Sequence, residues 1–202
     1  MTDYQRIKTI CEESSRNLKS FFDDFLMYYS DEREGFSKIF VDKIKPFRSI
    51  ITKMPQEWIP TLCSQYIAHK IFKQGGLAGK YMNNAKVQKR PAREIEYFKY
   101  QAEHPWRFSF AAIERCVAEN FFEMRDVITE QPFLLYSKGQ TDIADDIPVT
   151  FFFHLIGFNG HCWHTSRDFS PLTCSISQSS SILTRYSPMT CQPLLKKTRC
   201  RT

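Results

Sequence analysis

The sequence predicts an α+β protein, with helices in the first half of the chain and an antiparallel sheet in the second. Apolar residues recur at helical spacing up to about residue 104. From residue 106 to 165, aromatic and β-branched residues instead cluster in short runs, as they do in strands. We therefore expect one domain over 1–165, with a helical part over 1–104 and a sheet part over 105–165. A disordered basic tail over 166–202 follows.

The first of about four predicted helices covers residues 2–29. Its apolar side chains fall on one stripe, with a neighbouring line beside it, whereas its charged residues lie elsewhere. The stripe consists of Tyr4, Cys11, Leu18 and Phe25, and the neighbouring line of Ile7, Phe21 and Tyr28. We expect this stripe to be buried in a core, and the cluster Ser30, Asp31 and Glu32 together with Gly35 to end the helix.

Three further helices are predicted before residue 104. The second covers residues 36–51, and Pro46 is expected to kink or break it. The third begins near Pro55 and stops at Gly75-Gly76. The fourth runs from Pro91 to about Glu103, because a residue before proline is biased out of helical geometry.

The second half of the chain predicts a meander of antiparallel strands, at 106–111, 121–129, 133–137 and 149–165. Asn159-Gly160 lies between two apolar runs and predicts a two-residue hairpin turn. The stretch 111–120 fits either a strand or a short helix. If the fold ends at Thr165, the last strand is an exposed sheet edge, open to association.

The net charge of +6 arises from the end of the chain. From Thr165 onward there are six basic residues and one acidic residue, whereas residues 1–164 carry 22 basic and 21 acidic residues. The basic character therefore does not by itself mark the folded part as a nucleic-acid binder.

The composition of the tail predicts disorder. From Thr165 onward, 14 of 38 residues are Ser or Thr, and no hydrophobic period persists. Such a segment buries too little apolar surface to offset the conformational entropy lost on folding. An altered reading frame is the alternative explanation for so abrupt a change in composition.

Cysteine usage and hydropathy indicate a cytoplasmic protein. The seven cysteines lie far apart with no CxxC pair, which argues against a disulfide framework. The first 26 residues mix charged residues through their apolar positions, unlike a secretory signal, and no apolar run approaches the 20 or so residues that span a bilayer. We expect no membrane partner.

Four potential zinc ligands lie within eleven residues: His154, His161, Cys162 and His164. A hairpin at Asn159-Gly160 would place His154 and His161 on one face and the other two on the opposite face. Because zinc needs convergent, tetrahedral ligands, we predict no metal, no cofactor and no catalytic residues. An enzyme using Cys162 and His164 is kept as a second alternative.

A basic segment predicts the first alternative function, nucleic-acid binding. No acidic residue lies between Lys70 and Arg93, and amide side chains accompany the cations. The candidate binding residues are Lys70, Lys73, Lys80, Tyr81, Lys86, Lys89, Arg90 and Arg93. The leading hypothesis is a non-catalytic interaction module that binds a protein at its sheet edge or its helical face.

Overall fold

The computed structural model describes residues 3–54, 56, 58–138 and 151–165. Helices occupy the first half and five strands the second, which confirms the predicted α+β class. No helix among these residues is long and apolar enough to cross a membrane. The predicted tail over 166–202 lies outside the described residues.

The chain divides into two compact units. The helical unit comprises Met1–Arg107 and Gly157–His161, and the barrel unit comprises Phe108–Ile156 and Cys162–Thr202. The short segment 157–161 thus belongs with the helices, although it follows most of the sheet in sequence.

The first helix is longer than predicted and changes period along its length. It runs as α1 (Asp3–Asn17), a π-helical segment (Leu18–Leu26) and α2 (Met27–Glu34), and it ends at Gly35, whose φ of 66° is easily adopted by glycine. The π segment bonds each residue to the fifth before it, so it rotates the buried face. Tyr29 is therefore buried, whereas Tyr28, predicted for the core side, is exposed.

The remaining helices match three predictions and add two short elements. They are α3 (Phe36–Ile44), α4 (Arg48–Ile51), α5 (Trp58–Phe72), α6 (Ala78–Met82), α7 (Ala85–Gln88) and α8 (Ala92–Glu103). The predicted break at Pro46 is confirmed, because a 3-10 turn at Lys45–Phe47 separates α3 from α4. Helices α6 and α7 were not predicted, since four or five residues are too few to show a helical period.

Aromatic rings fill the core of the helical unit. Phe72 stacks on Trp106 with ring centroids 4.6 Å apart and meets Phe98 edge-on at 5.8 Å. The Trp106 indole N–H donates to the Gln101 side chain, which in turn donates to the Phe158 carbonyl. These bonds satisfy the polar atoms that the aromatic core would otherwise leave without partners.

The five strands form a closed barrel in the order β1-β2-β3-β5-β4. Their bounds are β1 (Arg107–Ala118), β2 (Phe121–Asp126), β3 (Pro132–Tyr136), β4 (Phe151–Phe158) and β5 (Trp163–Thr165). Segment 111–120 is thus strand for most of its length. Antiparallel pairing joins β1 to β2 and β2 to β3, but β3 pairs with β5 in parallel.

Two predictions about the sheet are wrong. It is not an all-antiparallel meander, because the parallel pairing of Leu135 with Trp163 inserts β5 beside β3. The last strand is also not an exposed edge, because β5 lies between β3 and β4 in the closed barrel. Closure removes the free edge at which the sequence placed a docking partner.

The predicted two-residue hairpin is also wrong. Strand β4 ends at Phe158 and β5 begins at Trp163, so four residues connect them. The Asn159 side-chain oxygen accepts the His161 backbone N–H at 3.1 Å, and Gly160 has a φ of 93°. This side-chain turn competes with the tighter turn that Asn-Gly otherwise favours.

Candidate functional site

Strand β1 presents large apolar side chains on the outside of the barrel. Phe108 and Phe110 are 40% and 37% exposed, whereas the small residues Ser109 and Ala111 between and after them are buried. Ala111 belongs to the barrel core. The usual strand pattern, with apolar residues inward and polar residues outward, is therefore inverted at the start of β1.

The neighbouring strands extend this apolar surface. The ring of Phe153 on β4 stacks on Phe108, with centroids 5.5 Å apart and planes 3° from parallel. On the other side, the Val127 backbone N–H donates to the Phe110 carbonyl at 2.8 Å, which continues the pairing of Ala111 with Asp126. Residues paired across strands share a face, so Val127 lies beside Phe110.

Among the described residues of the barrel unit, the most exposed large apolar side chain lies in the connection between β2 and β3. Ile128 is 81% exposed, and Val127 and Phe153 are 42% and 44% exposed. We call the five outward side chains the apolar patch: Phe108, Phe110, Val127, Ile128 and Phe153. A contiguous patch of this kind is typical of a surface that binds another molecule.

A buried carboxylate holds the turn that carries Ile128. One Asp126 side-chain oxygen accepts the backbone N–H groups of Ile128 and Thr129, both at 3.0 Å. The Ser109 hydroxyl donates to the other oxygen at 3.4 Å. The Glu130 N–H also donates to the Asp126 carbonyl at 2.8 Å. The turn is therefore ordered before any partner binds, which lowers the entropy lost on binding.

The two units differ in charge. Residues 1–107 contain 19 basic and 13 acidic residues, a net charge of +6, whereas residues 108–164 contain three basic and eight acidic residues, a net charge of −5. The near-neutral sum over 1–164 therefore conceals a basic helical unit and an acidic sheet segment. The apolar patch lies in the acidic segment.

The outer face of β1 and β2 is electrically balanced. In this barrel, Arg115 donates to Glu123 at 2.6 Å and Arg125 to Glu114 at 2.5 Å. Because these pairs cancel, they supply none of the excess positive charge that phosphate binding needs. The architecture alone does not assign an oligonucleotide to this face.

No protein-family model matches the chain, and no similar protein is found among curated proteins or solved structures.

The histidines and cysteine considered for metal binding or catalysis do not form an open site. His154, Cys162 and His164 are buried, and His161 is exposed in the β4–β5 connection. Within the described ranges, no group of three or more potential ligands is placed to hold a metal ion. Burial lowers the pKa of His154 to about 3 and that of His164 to about 4, so both imidazoles are neutral at pH 7.

In three of the eight nucleic-acid candidates, the side chain is bonded to a glutamate carboxylate. Tyr81 is buried and donates its hydroxyl to Glu34, and burial together with that carboxylate raises its pKa. Lys80 forms an ion pair with the same carboxylate at 2.6 Å. Arg90 forms an ion pair with Glu94 at 2.8 Å and donates to the Ser20 carbonyl at 3.2 Å. In this conformation, Tyr81 offers no face on which a base could stack.

The other five candidates divide by exposure. Lys70 and Lys73 are half-buried, and the Lys70 ammonium lies 5.4 Å from the ring centroid of Tyr66. Lys86, Lys89 and Arg93 are exposed. The structure therefore leaves a cluster of three exposed cations at α7 and the start of α8.

The sequence pattern did not reveal the apolar patch. Its residues were interpreted as strand, but alternation along Phe108-Ser109-Phe110-Ala111 places the phenylalanines in the core by the ordinary rule. The available signal was the presence of small residues at both alternate positions, which is typical of a tightly curved interior. That signal does not identify a binding surface without the barrel.

Proposed function

We propose that this protein is a non-catalytic binding module that docks a partner protein on the apolar patch of its barrel unit. The observation that carries the proposal is the outward row of large apolar side chains ending at Ile128. The ligand we infer is a peptide segment with aromatic or aliphatic side chains flanked by Lys or Arg.

Burial of the patch supplies the binding free energy. Fully removing one large apolar side chain from water contributes about 1.5–3 kcal/mol, and a few such residues dominate most protein interfaces. Ile128 is the best anchor, because its side chain is the most exposed of the five and lies on a turn that Asp126 already orders. A rigid anchor loses less conformational entropy on binding than one on a mobile loop.

Charge selects the partner's chemistry. The sequence over residues 108–164 has a net charge of −5, and the long-range field of that charge attracts basic residues of a partner and repels acidic ones. The same charge disfavours pairing of two barrel units through their patches. A basic-flanked peptide therefore fits better than a second copy of this chain.

A display experiment tests this proposal without a known partner. A random 12-residue peptide library displayed on phage is selected against the full chain at low salt. We expect enrichment of peptides that combine aromatic or aliphatic residues with Lys or Arg. Their affinity for an Ile128→Asp variant should fall at least about tenfold, because hot-spot residues typically contribute 2 kcal/mol or more.

The matched control is Phe47→Asp, which adds the same charge at an exposed aromatic residue of the helical unit. Selected peptides should bind this variant as they bind the unmodified chain. Equal losses in the two variants, enrichment of acidic peptides, or no enrichment at all would each contradict the proposal.

A further inference from the structure

Three exposed cations of the helical unit form no ion pair with the residues that the structure describes. Lys86, Lys89 and Arg93 lie within eight residues, and none has a carboxylate within ion-pair distance in the described part of the chain. Lys80 and Arg90, in the same segment, are each neutralised by a glutamate. Because Lys70 and Lys73 are half-buried, the fully exposed and unpaired cations of the segment are those at α7 and the beginning of α8.

Aromatic rings of the first helix bring a fourth cation to this cluster. The Lys86 ammonium lies 5.1 Å and the Arg33 guanidinium 5.6 Å from the ring centroid of Tyr29. Tyr29 in turn stacks on Phe25, with centroids 5.5 Å apart. The Arg33 guanidinium also donates to the Tyr29 hydroxyl at 3.2 Å, so one tyrosine contacts two exposed cations from distant parts of the sequence. We call Arg33, Lys86, Lys89 and Arg93 the cationic surface.

Two polar side chains beside the cationic surface already make hydrogen bonds within the protein. The Asn84 side chain accepts the Lys86 backbone N–H and caps α7, and the Gln88 amide donates to the Met82 carbonyl. Tyr81 is buried. These are groups that could otherwise read or stack on bases, so the surface is suited to contacts with phosphates rather than with base edges.

We propose that the cationic surface binds the phosphate backbone of single-stranded nucleic acid without sequence preference. Phosphates need only positioned cations, and Arg33 and Lys86 are positioned by one ring. A membrane surface is the less favoured polyanion, because interfacial helices insert large apolar side chains beside their cations. The apolar residues Tyr81 and Val87 beside these cations are instead buried.

Fluorescence anisotropy of a labelled single-stranded DNA 20-mer tests the proposal on the full chain. The variant replaces Lys86, Lys89 and Arg93 by Gln. At about 50 mM salt its affinity should fall about tenfold or more, equally for DNAs of different sequence. The slope of log affinity against log salt should become shallower by about 2, since each lost contact with a single strand removes about 0.7.

The matched control removes the same charge elsewhere on the helical unit, through Lys38→Gln, Lys43→Gln and Lys53→Gln, all at exposed positions. It should retain DNA affinity, and both variants should keep the melting temperature of the unmodified chain. Equal losses in the two triple variants, or no DNA binding by the unmodified chain, would overturn the proposal. The proposal would also be overturned if the variant of Lys86, Lys89 and Arg93 no longer sedimented with phosphatidylserine vesicles but still bound DNA. The ligand of the cationic surface would then be a membrane.

Discussion

The helical unit and the barrel unit place their aromatic residues in opposite ways. In the helical unit, Phe72, Phe98 and Trp106 are buried against one another, and cations lie over the rings at its rim. In the barrel unit, Phe108 and Phe110 face outward, and small residues occupy the matching inward positions. The helical unit is also basic, whereas the sheet segment is acidic.

This contrast is the basis of the two proposals, which assign a different binding chemistry to each unit. The helical unit gains its stability from buried rings and exposes charge. The barrel exposes apolar surface, and its core is built on other residues: Ala111, Phe122, Met124, Leu135 and Ile156. Substitutions placed in one unit or the other can therefore test this difference.

The largest effect is expected from a buried ring of the helical unit. Phe72→Ala removes a side chain that contacts Phe22, Phe98 and Trp106, and it should lower the free energy of unfolding by about 3–5 kcal/mol. Urea denaturation measures the change. Phe110→Ala in the barrel should change it by less than about 1 kcal/mol, and a larger loss would mean that Phe110 is a core residue.

Acid should destabilise the barrel through its buried histidines. The pKa of His154 is about 3 and that of His164 about 4 in the folded protein, below the value of about 6.5 in an unfolded chain. Below pH 6.5 the unfolded state therefore binds protons that the folded state does not. The free energy of unfolding is highest above pH 6.5 and falls as the pH drops toward 4.

The slope of the free energy of unfolding against pH approaches about 1.4 kcal/mol per pH unit for each histidine. Urea denaturation at pH 7, 6 and 5 should show a shallower dependence for His154→Gln. The exposed His161→Gln is the control and should retain the original slope. An unchanged slope for His154→Gln would show that the imidazole is already protonated in the folded barrel.

Replacing Arg90 should lower the free energy of unfolding more than replacing the exposed Lys89 beside it. Arg90→Gln leaves the Glu94 carboxylate, whose side chain is only 3% exposed, without its ion-pair partner. We expect a loss of about 2–3 kcal/mol, below the usual cost of breaking a buried pair because Arg90 itself keeps 31% exposure. Lys89→Gln should change the free energy of unfolding by less than about 0.5 kcal/mol in the same urea titration. Similar losses for the two variants would contradict the assignment.

Local patterns in the sequence were sufficient for most elements of the helical unit. The end of the first helix at Gly35 and the break at Pro46 both follow from the backbone chemistry of single residues. The phase of the first helix did not follow, because the π segment shifts the buried face from Tyr28 to Tyr29.

Long-range pairing was beyond local patterns. Barrel closure depends on the parallel pairing of Leu135 with Trp163. The residues next to either one in the sequence do not indicate this pairing. The same holds for the basic segment. Lys80 is bonded to Glu34, 46 residues away in sequence, and Arg90 to the Ser20 carbonyl, 70 residues away. Sequence alone could therefore identify the cluster of charges but not which of its members remain available to a ligand.

The most direct test of the protein-binding proposal is amide hydrogen exchange with the tightest displayed peptide bound to the full chain. We expect slower exchange in the turn at 127–131 and at 108–111 of β1, because the peptide covers both, and little change in α7. Slower exchange confined to the helices, with the turn unchanged, would contradict docking on the apolar patch.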